Sequence, residues 1–295
     1  MSQPFDVLVI GGGPGGYVAA IRAAQLGFST ACCESNPYAD PKGEPRLGGT
    51  CLNVGCIPSK ALLHTSHLFE EAAHSFAGQG IKVAPPTIDV PVMKGRKDTV
   101  VNQLTSGIKG LFRKNKVTFL PGHGAFVARE NDLWKVTVGA EEVLAKQVIV
   151  ATGSKARHLP NVPVDNKIVL DNEGALDQES VPEKLAIIGA GVIGLEMGSV
   201  WRRLGSEVTI LEAMPDFLAV ADQDVAKEAA KLFAKQGLDI RTGITIGGIK
   251  VSKNGVSIDY DDKDGQAQKL DADRLIVSIG RIPNTDGLNA EAVGL

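Results

Sequence analysis

The sequence predicts an α/β protein built around two dinucleotide-binding domains, and three observations carry that prediction. An apolar strand, a glycine turn and an amphipathic helix follow one another twice, in "DVLVIGGGPGGYVAAIRAAQLGFSTACCES" from Asp6 and in "KLAIIGAGVIGLEMGSVWRRLGSEVTILEA" from Lys184. Each copy closes its second strand on an acid, Glu34 or Glu212, and both acids lie 23 residues beyond the first glycine of their copy (34 − 11 and 212 − 189). The chain has 295 residues, which is room for about two domains of ordinary size.

Composition narrows the function classes. The chain is 43% hydrophobic and 22% charged, as a folded globular protein is. A net charge of −3 offers no basic footprint for nucleic acid. No apolar run approaches the roughly 18 residues that span a membrane. The N-terminal "MSQPFDVLVIGGG" has no basic segment before its short apolar run, so a secretory signal is not expected. A cytoplasmic protein is the resulting expectation.

The elements follow in order. "VLVI" is the first strand, and Gly11, Gly13, Gly15 and Gly16 form the turn into the first helix. "FSTACCES" reads as a buried strand in which Cys32 and Cys33 are small core residues. Pro58 suits a first helical turn, and Ala61, Leu62, Leu68, Phe69 and Ala72 follow it at helical spacing. A packing helix is predicted over 97–116, with Val100, Val101, Leu104, Ile108, Leu111 and Phe112 on one face. "VTFLPG" is a short strand, and Trp134, Val136 and Val138 alternate with polar residues as a half-exposed strand does. "KQVIVATGS" reads as a buried strand ending in a turn, and "LPNVP" as a linker. The second glycine unit follows, with Gly189, Gly191 and Gly194, and residues 256–279 are again strand-rich. These readings place domain boundaries at 1–157, 158–277 and 278–295.

The three glycines of each turn do separate work. The first permits the tight turn, the second lets the backbone approach a pyrophosphate, and the third lets helix and strand pack closely. The helix N-terminus then presents N–H groups and a partial positive charge to the pyrophosphate. The acid accepts hydrogen bonds from a ribose. Both units are thereby Rossmann-like, three-layer in design. A carboxylate at Glu212 pairs with a free ribose 2′-hydroxyl and repels a 2′-phosphate. The stretch "ILEAMPDFLAVAD" holds no Arg or Lys, so NAD is expected in preference to NADP.

"LGGTCLNVGCIPSK" carries the chemistry: four residues separate Cys51 from Cys56 in a glycine-led segment. Structural zinc would need two further ligands, which only His64 and His67 are near enough in sequence to supply, and no metal site is expected. A structural disulfide closing so short a loop removes little chain entropy. Two inert thiols remain a plain alternative. A redox pair is the favoured reading: close thiols exchange with a substrate dithiol, and the helix start near Pro58 favours a thiolate.

"GGTCLNVGCIPSK" resembles the active-site segment of the flavin-dependent pyridine nucleotide–disulfide oxidoreductases. The resemblance runs through "GGGPGGYVAAIRAAQLG", "VIVATGS", "GAGVIGLE" and "LIVSIGRIPNT", over essentially the whole chain. It implies FAD and NAD as cofactors, with the NAD domain inserted in the FAD domain. By the same resemblance Gly11 to Gly16 take the FAD pyrophosphate and Glu34 its adenosine ribose. Gly49, Thr50 and Cys51 lie along the flavin nucleotide, and Gly124, Thr152, Gly153 and Ser154 also touch it. Lys60 sits near the flavin and pairs with Glu196. Gly189, Gly191, Gly194, Glu196, Glu212, Ile246 and Gly280 line the NAD site. Cys51 meets the substrate and Cys56 faces the flavin.

The implied activity is oxidation of protein-bound dihydrolipoamide with NAD⁺, on the lipoyl domains of 2-oxoacid dehydrogenase complexes. A glutathione- or mercuric-reductase activity, or a nucleotide-binding protein without turnover, are the alternatives. Family members continue beyond a segment like the last one here, into a dimerisation domain that supplies a His–Glu acid–base pair. The resemblance therefore implies a homodimer in full-length form and a chain that stops before its own base. His123 and His158 have no partner legible in the sequence, and His64, His67 and His74 are expected in surface or core roles.

Overall fold

The structure is a computed structural model that describes residues 3–40 and 42–295. Contacts divide the chain into two compact units. The first comprises Met1–Ile57, Thr99–Lys155 and Ile282–Leu295, and the second Pro58–Asp98 and Ala156–Arg281.

The first unit starts with strand β1 (Phe5–Ile10), helix α1 (Pro14–Gln25) and strand β2 (Thr30–Glu34). Gly27 ends α1 at φ +93°, and the N–H of Phe28 returns to the carbonyl of Ala23, a left-handed close that a glycine permits. Helix α2 (Gly49–Val54) follows, then α3 (Cys56–His74) and α4 (Val90–Lys114), both of which run across the division between units. Strands β3 (Thr118–Pro121), β4 (Gly124–Glu130), β5 (Leu133–Val138) and β6 (Glu141–Val150) complete a six-stranded sheet in the order β3-β2-β1-β6-β5-β4. The strands from β3 to β6 pair in parallel, whereas β6, β5 and β4 form an antiparallel meander. Val9 opposes Cys32 and Ile149 in register. Alternation along β1 sends Val7 and Val9 into one apolar cluster with Phe112, and Leu8 and Ile10 into another with Phe126, as the period of two requires.

Two expectations are corrected here. The helix read as 97–116 begins at Val90, because Asp89 caps it, accepting from the N–H of Val92 at 2.9 Å. Its buried face is Val101, Ile108 and Phe112, while Leu104 and Leu111 point outward at 43% and 44% exposure. The strand "QVIV" is not buried at its end. Pairing with β5 stops at Ala145, so among the described residues β6 continues with β1 alone, and Ile149 and Val150 are 38% and 42% exposed.

The short strand β7 (Ser154–Ala156) leads out of the first unit. The second unit is built on β8 (Val169–Leu170), helix α5 (Asn172–Ala175), β9 (Lys184–Ile188), α6 (Val192–Arg203), β10 (Glu207–Leu211), α7 (Gln223–Gln236) and β11 (Asp239–Arg241). Strands β12 (Thr245–Ser252), β13 (Gly255–Asp261) and β14 (Ala267–Ala272) form an antiparallel sheet, and β15 (Arg274–Val277) returns to the parallel one. That parallel sheet has the order β11-β10-β9-β15-β8. Strand β9 is apolar and almost wholly buried, as a central parallel strand covered on both faces must be. Residues 58–98 join this unit because Leu62, Val90 and Met93 share its core with Leu185, Ile187 and Trp201.

Candidate functional site

In the first unit, the turn after β1 has no room for a side chain at Gly11 or Gly16. Gly11 has φ +105°, and a Cβ there would stand 2.2 Å from the carbonyl oxygen of Ala151. A Cβ on Gly16 would stand 1.7 Å from the carbonyl oxygen of Gly11. Gly15 is different, since a Cβ would meet only ordinary contact with Ala151 at 3.9 Å. The N-cap of α1 is Gly13, and no side chain caps the helix. By contrast α5 and α7 have Asp171 and Asp222 as caps. The first-turn N–H groups of α1 are thus left for an anionic ligand. Glu34 closes the turn, accepting from Gly12 at 2.9 Å through Oε2 and from Ser35 and Asn36 at 2.8 and 2.9 Å through Oε1.

The second unit repeats the device. Gly189 has φ +103°, and its Cβ would stand 2.5 Å from the carbonyl oxygen of Ser278; that of Gly194 would stand 2.2 Å from the oxygen of Gly189. Gly191 is the N-cap of α6, again without a side-chain cap. Glu212 accepts from Ala190 at 2.7 Å and from Met214 at 2.8 Å. The likeness extends to the segments "VATGS" and "VSIGR". Ala151 and Ser278 each donate a backbone N–H to the last residue of the central strand, Ile10 at 2.8 Å and Ile188 at 2.9 Å. Ser278 was missed in the sequence, although the matching strand–small-residue–glycine ends of these segments signal it. Its hydroxyl also donates to Gly189 at 3.0 Å.

Other predicted residues fall around these turns. Gly153 accepts from the N–H of Asn284 at 3.0 Å, and Thr152 from its side-chain amide at 3.4 Å. Ser154 opens β7 and is half-buried. Gly124 is buried where a Cβ would strike Cys33 Sγ at 2.7 Å. Gly280, at φ +113°, accepts from Arg157 at 3.0 Å. Ile246 lies in β12 beside a bulge and packs against the core that holds Ile258 and Leu275.

The cysteine segment is seated on the first glycine turn. Gly48, at φ +106°, is the N-cap of α2, and its N–H donates to Gly12 at 2.8 Å. Gly49 packs so closely that a Cβ would stand 2.6 Å from Gly13 Cα. Leu47 is fully buried below, and Asn53 donates to the Gly49 carbonyl at 2.9 Å. Thr50 and Cys51 therefore occupy the first turn of α2 beside the N-terminus of α1, and Cys51 is half-buried. Gly55 separates α2 from α3, which begins with the exposed Cys56. Cys32 and Cys33 are buried in β2 as expected, and burial pushes the Cys33 thiol up to about 11 and that of Cys32 further. Among the described residues no cluster suits a metal ion.

Within the second unit Lys60 donates to Glu196 Oε1 at 2.5 Å. Ser59, only 4% exposed, donates to the other carboxylate oxygen. Ser59 was not singled out in the sequence, where its neighbour Lys60 drew the attention. His158 does have a partner, Asp171 Oδ2 at 3.3 Å, whereas His67 and His74 lie exposed on α3 near Glu71 and Glu70.

Comparison with known proteins identifies the family. The family described as pyridine nucleotide-disulphide oxidoreductase matches residues 5–295. A dihydrolipoyl dehydrogenase of Cupriavidus necator is 62% identical over 295 residues, covering 100% of this chain and 62% of that protein. The mitochondrial dihydrolipoyl dehydrogenase of Pisum sativum is 47% identical, covering 100% of this chain and 58% of its own length. The crystal structure of LpdA from Mycobacterium tuberculosis superposes with a TM-score of 0.85 at 25% identity, over 98% of this chain and 61% of that one. The chain thus spans about three fifths of the relatives it matches.

Proposed function

Since the chain belongs to the pyridine nucleotide-disulphide oxidoreductase family, we propose that it holds the FAD site, the NAD site and the reactive dithiol of an enzyme that oxidises protein-bound dihydrolipoamide. The observation that carries this reading is the seating of the Cys51 segment on the first glycine turn, Gly49 against Gly13. The uncapped N-terminus of α1, the side-chain-free turn and the anchored Glu34 suit a dinucleotide, and the same set at α6 and Glu212 suits a second.

The chemistry follows from the sulfurs. Cys51 and Cys56 are thiols in the structure; in the oxidised form, where a disulfide would join them, a substrate thiolate attacks Cys51 Sγ, the Cys51–Cys56 bond breaks, and Cys56 leaves as thiolate. The second substrate thiol then closes the lipoamide disulfide and releases Cys51. Two electrons and two protons have left the substrate, and NAD⁺ takes up the electrons with one proton as hydride. A bound flavin supplies the two-electron relay between sulfur and nicotinamide. Lys60 and Glu196 bear on the flavin end of that relay, and Glu212 selects NAD by its carboxylate.

Lipoyl domains of 2-oxoacid dehydrogenase complexes are the proposed partners, the cytoplasm the proposed compartment, and a homodimer the proposed state of the whole protein. Among the described residues no helix is long and apolar enough to cross a membrane. The test is the whole purified protein. Expected are a yellow protein, NADH formation from dihydrolipoamide and NAD⁺, and loss of turnover in both Cys51→Ser and Cys56→Ser. A colourless protein, or turnover that survives either substitution, overturns the reading.

A further inference from the structure

The chain between Glu34 and the cysteine segment is bound in two tiers. In the inner tier, the N–H of Asn36 donates to Glu34 Oε1 at 2.9 Å, its Oδ1 accepts from Tyr38 at 2.9 Å, and its Nδ2 donates to the carbonyl of Arg46 at 2.5 Å. The N–H of Arg46 returns to the Tyr38 carbonyl at 2.7 Å. In the outer tier Asp40 Oδ1 accepts from Lys42 and Glu44 at 2.8 and 3.0 Å. Lys109, on α4, reaches both carboxylates, Asp40 Oδ2 at 2.6 Å and Glu44 Oε2 at 2.5 Å, with its ammonium 5.5 Å from the Phe119 ring centre. The chain leaves this loop at Arg46 and enters Leu47, Gly48 and Gly49, the residues that pack on Gly12 and Gly13.

Gly48 and Gly49 bring no side chain of their own to fix where α2 begins. Its place is set by their backbone contacts with Gly12 and Gly13, by Asn53, by the buried Leu47 and by the chain that delivers Leu47. That chain is tied to the acid of the first cradle through the backbone N–H of Asn36, is closed between Tyr38 and Arg46 by the Asn36 side chain, and is tied at its tip to α4 through Lys109. A residue that shortens the freedom of a loop in its bound form acts by pre-organisation, which reduces the ordering that a ligand must otherwise impose.

We propose that Asn36 and Lys109 are positioning residues that hold the Cys51-bearing helix on the first glycine turn, and so set how tightly that cradle keeps its dinucleotide. The inference rests on the FAD reading of the first cradle given above. It assigns a role to a loop outside the glycine and cysteine motifs.

The experiment compares the whole protein with Asn36→Ala, Lys109→Met and Lys109→Arg, each stripped of flavin and titrated with FAD. Asn36→Ala should raise the FAD dissociation constant about tenfold, from the loss of the side-chain bonds with Tyr38 and Arg46, while the backbone N–H bond to Glu34 stays. Lys109→Met should raise it about fivefold, and Lys109→Arg should restore the parental value. The KM for NAD⁺, read in the FAD-saturated enzyme, should stay parental in all three. Amide exchange over 36–49 in the flavin-free protein should quicken in the two weakening variants. An unchanged FAD constant in a variant that has merely lost melting temperature would overturn the inference while leaving the function intact. A parent that binds no FAD overturns the function and the inference together. Should Asn36→Ala fail to fold, the Lys109 pair decides alone.

Discussion

The carboxylate of Glu212 accepts the backbone N–H of Ala190 at 2.7 Å, so the acid at the end of one strand braces the glycine turn at the end of its neighbour. In the NAD site proposed above, the remaining lone pairs of that carboxylate would meet a ribose as acceptors only, which disfavours a phosphate at the 2′ position. The whole protein should therefore show a lower KM for NAD⁺ than for NADP⁺. Glu212→Ala should erode that preference by about tenfold, since it removes both the acceptor and the brace. Steady-state kinetics with the two coenzymes decide the matter.

Gly16 and Gly194 occupy the same place in the two cradles, and a Cβ there would stand 1.7 and 2.2 Å from backbone oxygen. Each clash is with the rigid turn of its own unit. Gly16→Ala should abolish FAD retention and leave NADH binding measurable, and Gly194→Ala should do the reverse. The strain amounts to about 1–3 kcal/mol of overpacking, concentrated at the cradle. Separate titrations of the two nucleotides, by absorbance and by NADH fluorescence, test the crossed pattern.

Glu196 divides its two oxygens between Ser59 and Lys60. Glu196→Gln keeps the shape and removes the charge. If this pair supports hydride movement as proposed, kcat should fall about tenfold or more, while the KM for NAD⁺ changes little. Equal loss of both parameters would argue for a plain structural bond.

Asp40 gives the chain an acid-sensitive tie. Its carboxyl is lowered from 3.8 to about 2, foremost by the hydrogen bond from Lys109. The folded value lies below the unfolded one, so the tie contributes in full above about pH 4 and is lost as pH falls through about 2. Lys109→Met removes the cause. The melting-temperature gap between parent and variant should be widest near neutrality and close as the pH is lowered through that window, as thermal melts would record.

The thiols should sort by environment. Cys32 and Cys33 are fully buried and held protonated by desolvation, whereas Cys56 is exposed at the start of α3. After mild reduction of the Cys51–Cys56 pair, iodoacetamide at about pH 8 should label Cys56 in the folded protein and spare Cys32 and Cys33 until denaturant is added. Peptide mass mapping reads the sites directly.

What the sequence disclosed was periodic or local. Glycines at fixed spacing after an apolar strand announce both cradles, and the alternation at Trp134, Val136 and Val138 announces β5. What escaped depends on partners far along the chain. The start of α4 at Val90 rests on Asp89 as a cap and on a core shared with Leu62 and Trp201. Ser59 gains its meaning from Glu196 and Lys109 from Asp40, pairs 137 and 69 residues apart. No local pattern encodes such pairs. The outward turn of Leu104 and Leu111 shows the converse limit, because helical spacing alone does not say which of two adjacent apolar rows is covered.

The uncovered margin of β6 has a consequence for handling the protein. Gln147 to Val150 pair with β1 along one edge and, among the described residues, with no strand along the other, beside exposed Ile149 and Val150, and such a margin is a template for another strand. Lys146, tied to Asp6 at 2.8 Å, places a charge at its near end. Residues 1–295 prepared alone should thus associate edge to edge and precipitate as concentration rises, and a second lysine in place of Ile149 should keep the preparation clear.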